Sequence, residues 1–533
     1  MIKLHKQTLS EKDYQVRLDK ICKDIIRKES EYSCSDFDNG LLGELLVSYV
    51  SKGSIIFGTP IIINFEKKEF GLSACTVLNG CIFSDCNNIK KEIMPFAAEG
   101  LGIGFSLDKA EDPVSILYSL NEALNEIDSN VERNTATLVS LRIDNPNIFE
   151  FIQCKNSVDF NKWKINISVS IPDTFFLEHN ERNEKILDVI SESMWMCGEP
   201  GIVFIDQVDR GNPLPKNEYI GFAPCAEIAM AEGDRCHFVY INVAHFLQDG
   251  MYSFEKLSLA SRCATRALDN ILDISMERNS DNNIANKRRI SIGICGFAEL
   301  LINMDLEYGS AACLALADDI ISTINYYSKL ESVELSINRG SFPQFSESRY
   351  SDKDWFLSTG KSISSHVSLK MWEELWEKIQ ANGIRNSSTT ALPPTGNSAY
   401  INKTTHSIEP IFDFSSPGVH NSLLRCLRNT EGISKDTIEE AIQFGSLQKF
   451  DSISSNLKRI FALGTELAYS AHLDVLSRFQ YGIDECISKT INLPNETTKD
   501  NIKEIILEAY TRKLKCITVF RNNCLEERNN PSE

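Results

Sequence analysis

The sequence predicts an α/β fold in which one large domain holds most of the chain. Apolar runs of strand length, rich in Val, Ile and Thr, alternate with longer segments whose apolar residues recur at helical spacing. No fixed-period repeat or low-complexity linker divides the 533 residues into smaller modules. With 42% hydrophobic and 24% charged residues, the composition is that of a globular chain able to bury a large core. A barrel is one arrangement of such alternating units.

Residues 1–50 read as helical. Leu18, Ile21, Cys22, Ile25 and Ile26 form one apolar stripe, and Leu41 to Val50 continues as a more uniformly apolar helix. Gly53 to Pro60 and Gly71 to Leu78 have loop-plus-strand character. The run Gly100-Leu101-Gly102-Ile103-Gly104-Phe105 lacks the full G-x-G-x-x-G spacing and a clear preceding strand, so it is not a dinucleotide fingerprint. Strands are expected at Thr135 to Ile143, Lys164 to Ile171, Gly201 to Asp206 and Phe238 to Val243. Asn145-Pro146-Asn147 opens a short helix over 148–152. Helices are expected over 183–197, ending near Gly198, and over 253–275. Arg289 to Leu301 suits a strand turning tightly into a helix; residues 311–337 and 368–381 are helical and Ser387 to Leu392 strand-like. A last helix follows Thr497, taken as N-cap with Asp500 three residues on, and Ile517 to Phe520 forms the final strand.

A net charge of −19 argues against a nucleic-acid or anionic-membrane surface. No apolar run approaches the ~18 residues of a membrane span, and the N-terminus has no secretory signal, so a cytoplasmic protein is expected. The 16 cysteines make no CxxC…CxxC pattern; most should be free thiols. Cys75, Cys81 and Cys86 are clustered but irregularly spaced, with no histidine nearby, and no metal is expected there.

Three places could carry chemistry. Ala223-Pro224-Cys225-Ala226-Glu227-Ile228 sets a thiol and a carboxylate two residues apart between strand-like runs. Its proline favours a loop, from which both groups could act on one small substrate; a buried cysteine beside a surface glutamate is the bland alternative. Pro394-Thr395-Gly396-Asn397-Ser398 could aim N–H groups at an anion or be an ordinary turn, and it lacks the Gly-Lys-Ser/Thr of a P-loop. Cys75 and Cys236 adjoin strands and could be a dithiol near Cys225 or two buried thiols.

The ordered set is more specific than its parts. Ser73-Ala74-Cys75, Arg133-Asn134-Thr135-Ala136, Asn166-Ile167-Ser168-Val169, Gly201 to Asp206, Ala223 to Ile228, Cys236, Arg288-Arg289-Ile290, Pro394-Thr395-Gly396, Ile408-Glu409-Pro410 and Ser488 to Pro494 occur in this order. Together they resemble the catalytic subunit of ribonucleotide reductase over about residues 50–522. The resemblance implies a short helical N-terminal region (1–50), a ten-stranded α/β barrel with a central finger loop (51–522) and a short polar tail (523–533). It implies Cys225 as the thiyl radical that abstracts the ribose 3′-hydrogen, Glu227 as general base, and Cys75 and Cys236 as reductants ending as a disulfide. Thr395, Gly396, Asn397 and Ser398, with Ser73 and Ala74 opposite, would hold the substrate, whose ribose would lie against Ala223.

In iron-dependent members a tyrosine pair in the last strand relays the radical; the matching positions are Thr518 and Val519, which cannot. The eleven-residue step from Cys225 to Cys236 and the Ser488–Pro494 run look like the adenosylcobalamin-dependent (class II) members. The implied partners are a ribonucleoside di- or triphosphate, a thioredoxin-like or glutaredoxin-like dithiol reductant and a second copy in a homodimer. There are also departures. Ala223 stands where members have asparagine, Cys524 alone follows the last strand where they have a cysteine pair, residues 1–50 are expected to be too few for the family's regulatory cone, and Asp108 to Val114 is short. A catalytically altered or inactive nucleotide-binding relative is the alternative that Ala223 would suit.

Overall fold

The computed structural model describes residues 2–4, 6–32, 39–80, 83, 86–131, 133–156, 163–178, 180–215, 219–279, 282–359, 362–416, 418–430 and 433–524. Cys81 and residues 525–533 of the expected tail lie outside the described residues.

Five strands, Cys75–Asn79, Gly102–Ser106, Thr137–Arg142, Ile165–Ile171 and Gly201–Phe204, run parallel and adjacent in chain order. Helices cross between them, among them Cys86–Glu99, Pro113–Ile127 and Glu181–Cys197. The strands are buried on nearly every residue because both faces of a parallel sheet are covered. Arg235–Cys236 adds antiparallel to Cys75–Asn79 at one edge. Cys516–Arg521 adds antiparallel to Gly201–Phe204 at the other and pairs in parallel with Thr490–Leu493, making eight strands. A three-stranded sheet sets Phe238–Asn242 parallel to Ser291–Cys295 and antiparallel to Ile55–Phe57. The molecule is therefore α/β with a large mixed sheet. No helix among the described residues is long and apolar enough to cross a membrane.

Four local expectations are adjusted. Ahead of helices Glu11–Glu29 and Asn39–Ser51, Ile2–Leu4 and Gln7–Leu9 pair as a short antiparallel hairpin, so residues 1–50 are not wholly helical. The strand at Gly201 stops at Phe204, and Ile205–Gly211 is helical. The last helix, Lys499–Thr511, is capped by Thr498, whose hydroxyl accepts from the Asn501 amide while the Asn501 side chain returns to the Thr498 N–H. That reciprocal capping box is closed to Thr497 and Asp500. Ser387 to Leu392 makes only two bridges, Thr390 to Ile292 and Leu392 to Ile487. Backbone bonds still tie it on both sides, Ile292 N–H to Thr389 O (2.9 Å) and Leu392 N–H to Cys486 O (3.2 Å), while the Thr389 amide donates instead to Asp484 Oδ2 at 2.8 Å.

The helices Phe254–Arg278 and Ala311–Arg339 bury an ionic network against the first long helix. Asp269 meets Arg288, Arg339 and Arg385, while Glu29 meets Arg266 and Arg339. Each buried charge has opposite partners, the condition under which burial is tolerable. The arginines hold the Asp269 carboxyl well below its ordinary range against the opposing effect of burial.

Candidate active site

The Ala223–Ile228 stretch is the tip of a hairpin whose arms, Gly221–Phe222 and Ala229–Met230, pair antiparallel. The Ala223 amide donates to Ile228 O (2.9 Å) and the Ala226 amide to Ala223 O (2.7 Å). The turn is so tight that Ala226 takes φ 58°, a left-handed conformation that strains a residue with a Cβ. The hairpin lies against the sheet. A Cβ on Gly104 would sit 1.8 Å from Phe222 O, and one on Gly102 would sit 2.7 Å from Pro224 Cγ. Gly102 and Gly104 are thus clearance for the hairpin. Cys486 N donates to Glu227 O (2.9 Å), and Arg289 donates to Ala229 O (3.0 Å) while pairing with Glu485 (3.3 Å).

This mounting fixes the chemistry at the tip. Cys225 is half-buried, and Glu227 is 2% exposed, its Oε2 lacking a hydrogen-bond partner among the described residues. Burial raises the Glu227 carboxyl to about 7, against the opposing effect of hydrogen bonds from the local backbone. Burial and the neighbouring Glu227 and Cys75 push the Cys225 thiol well up, so it stays protonated and holds a hydrogen atom. Cys75 and Cys236 are direct cross-strand partners, both free thiols. Contact with the Cys236 thiol, then burial, raises Cys75. Antiparallel partners with Cβ atoms ~4.5–5.5 Å apart need little movement to become a disulfide. Ala74, Cys75, Ala223 and Cys236 belong to one buried apolar cluster, so the structure brings these predicted residues together at the hairpin.

The remaining predicted residues form its margin. Ser73 Oγ meets His237 Nε2 at 3.1 Å; burial and then Arg235 and Arg288 lower that imidazole to about 3, keeping it neutral. Thr395 Oγ1 meets His406 Nδ1 at 3.3 Å and accepts from the Ser407 amide at 3.2 Å. Gly396, exposed and at φ 42°, starts the short helix Gly396–Ile401. Ser398 Oγ pairs with Thr59 Oγ1 (3.0 Å). The Asn397 amide is engaged elsewhere, donating to Lys3 O at 2.7 Å.

Sequence reasoning passed over several neighbours. Tyr240 lies in the Cys75–Ala223–Cys236 cluster, a placement that strand alternation from Cys236 through Phe238 would have signalled. A second thiol pair, Cys486 and Cys516, sits behind the hairpin, Cys516 Sγ donating to Ile487 O at 3.2 Å. Cys86, Glu122 and Glu126 come within ligand reach of one another, but Lys90 pairs with Glu126 at 2.5 Å.

A cavity of about 570 Å³ opens on the other side of the tip. Cys225 and Ala226 form one wall; Asn166, Ser168, Glu409, Asn492, Thr518 and Val519 are among the facing residues. Its volume is in the range of small-molecule sites. Glu409 is fixed there by buried Lys489 (2.5 Å) and by the Thr490 amide (3.0 Å).

Fold and site define an α/β protein whose sheet carries a cysteine-bearing hairpin beside a dithiol. The family model described as ribonucleotide reductase, barrel domain, matches residues 98–186 and 179–520, and the chain belongs to that family. It is 27% identical over 443 residues to a vitamin B12-dependent ribonucleoside-diphosphate reductase of Mycobacterium tuberculosis, covering 77% of this chain and 60% of the relative. It is 28% identical over 511 residues to the protein of the same name from Thermoplasma acidophilum, covering 87% and 63%. The chain thus spans about three fifths of the length of these curated relatives. Among solved structures, the class Id ribonucleotide reductase alpha subunit of Actinobacillus ureae superposes with a TM-score of 0.76 at 15% identity, over 96% of this chain and 94% of that one.

Proposed function

We propose that this chain is the catalytic barrel of an adenosylcobalamin-dependent ribonucleotide reductase, converting ribonucleoside di- or triphosphates to 2′-deoxyribonucleotides. One observation carries the reading: a protonated thiol, a carboxyl raised to about 7 and a cross-strand dithiol converge on one hairpin tip. We further infer that the sheets and bridged segments form one closed ten-stranded barrel with the 221–230 hairpin as its finger loop. The bridges from Ile292 to Thr390 and from Leu392 to Ile487 support that closure.

In this reading Cys225, as a thiyl radical, takes the 3′-hydrogen atom of the ribose and later returns one. Glu227 accepts the 3′-hydroxyl proton while the 2′-hydroxyl leaves as water. Cys75 and Cys236 supply two electrons and two protons and become a disulfide, so that C2′–OH plus two thiols gives C2′–H, water and one disulfide. Ser73, Ala74, Thr395, Gly396 and Ser398 border the substrate, with Asn397 after release from Lys3 O. The cavity beside Cys225 fits the adenosyl end of the cofactor, with apolar walls from Pro410, Ile411 and Val519 and polar groups on Asn166, Glu409 and Asn492. When bound, adenosylcobalamin supplies the one-electron oxidation of the Cys225 thiol. Thr518 and Val519 line this cavity and offer no redox side chain, which suits direct delivery. A thioredoxin-like or glutaredoxin-like dithiol would restore the reductant pair in a cytoplasmic setting, and a homodimer is the proposed assembly.

The test supplies adenosylcobalamin, dithiothreitol and each nucleoside di- or triphosphate and measures deoxynucleotide. Product is expected from the wild type and none from Cys225→Ala; equal product from both would refute the assignment.

A further inference from the structure

We infer that Tyr240 is a substrate-positioning residue whose phenol donates a hydrogen bond to the nucleotide where its ribose meets its phosphates; the inference rests on the function proposed above.

Strand alternation puts Cys236, Phe238 and Tyr240 on one face of the chain, the face that packs with Cys75 and Ala223. The Tyr240 ring is therefore among the thiols, and it is 5% exposed. Its opposite strand position is Gly293, where a Cβ would lie 3.0 Å from Tyr240 Cδ1 and 3.1 Å from Pro393 Cδ. A glycine at that point leaves the ring room to lie against Pro393. The ring reaches from the dithiol to the turn, and its hydroxyl donates to Pro394 O at 3.2 Å.

Pro394 is exposed and immediately precedes Thr395-Gly396-Asn397-Ser398. The phenol is thus the polar group that joins the thiol cluster to the turn proposed to hold phosphates. A 3.2 Å bond to a carbonyl is long for an O–H donor, whose usual reach is ~2.7–2.8 Å, and an anionic phosphate oxygen is the stronger acceptor. Burial keeps the phenol protonated, and Glu227, Cys75 and Cys225 push in the same direction, so it remains a donor at any working pH. Ala223, across the cluster, has no polar side-chain group. Tyr240 therefore supplies orientation from the opposite wall.

The experiment measures equilibrium binding of a nucleoside and of its diphosphate to wild type and to Tyr240→Phe, which keeps the ring and its packing. The expected result is about a tenfold loss of diphosphate affinity, the size of one charge-assisted hydrogen bond, with nucleoside affinity unchanged. Equal loss of both ligands, the signature of a packing defect, overturns the inference, as does no loss of either. If wild type itself binds neither ligand, the proposed function falls and this inference falls with it; wild-type binding without selective loss in Tyr240→Phe overturns Tyr240 alone.

Discussion

Glu227→Gln should make the protein more stable at alkaline pH while abolishing deoxynucleotide formation. The carboxyl is raised from its ordinary 4.5 to about 7 because burial penalises the charged form. The unfolded chain then releases its proton first, and between these two values folding stability falls as pH rises. The interval, at about 1.36 kcal/mol per pH unit, places the full cost near 3 kcal/mol above pH 7 and about 1 kcal/mol at pH 5. Glutamine keeps an oxygen for the local backbone hydrogen bonds and has no charge to bury. Guanidinium titrations at pH 5 and pH 8 should show the advantage of the variant growing by about 2 kcal/mol between the two. A difference that does not change with pH, or a variant less stable at pH 8, would refute the account of a carboxyl held near neutrality by burial. If Glu227 is the base of the proposed function, turnover should rise through about pH 7 as it becomes ionised.

Other outcomes follow from the same geometry. Gly104→Ala should fail to accumulate as folded protein or lose about 3 kcal/mol or more, because its Cβ would meet Phe222 O at 1.8 Å. Gly43→Ala, with an ordinary 3.4 Å contact, is the control; equal thermal midpoints for both would contradict the hairpin's seating. After one turnover without reductant, alkylation and peptide mapping should find Cys75 and Cys236 protected and Cys486 and Cys516 still alkylated once unfolded; the reverse pattern would overturn the choice of dithiol. Asp269→Asn should cost about 3–5 kcal/mol by stranding buried arginines. Because that carboxyl is lowered, its contribution is present above the ordinary carboxylate range and lost as pH falls below it, so the stability gap to wild type should narrow in acid.

Alternation of strands and helices was legible because both periods are long-lived in this sequence: Ile165, Ile167, Val169 and Ile171 face inward at two-residue steps, and Ile502, Ile505, Ile506 and Ala509 at helical ones. The hairpin tip was legible from its proline and its ordered neighbours. What failed to show was whatever depends on a partner distant in sequence. Gly102 and Gly104 carry no label saying that Pro224 and Phe222 will press on them. Thr389 has strand propensity, yet its amide is taken by Asp484. Tyr240 reads as a core aromatic until the register beside Gly293 and the carbonyl of Pro394 give it an address. The closure of Ser387 to Leu392 likewise depends on distant backbone, Ile292 on one side and Ile487 on the other.

The seating of the hairpin also orders events during synthesis. Residues 221–230 emerge after the five parallel strands but before Cys516–Arg521, the strand that pairs with Gly201–Phe204. Joining Ile202 to Ile517 closes a very long loop, an entropic cost that grows slowly with length but makes the closing step late. Cys516, one of the residues behind the hairpin, arrives only then. Until the last strand docks, the hairpin rests on Gly102 and Gly104 but has no Cys516 behind it. In the proposed function, that order would leave the radical-bearing sulfur fully enclosed only in the finished fold.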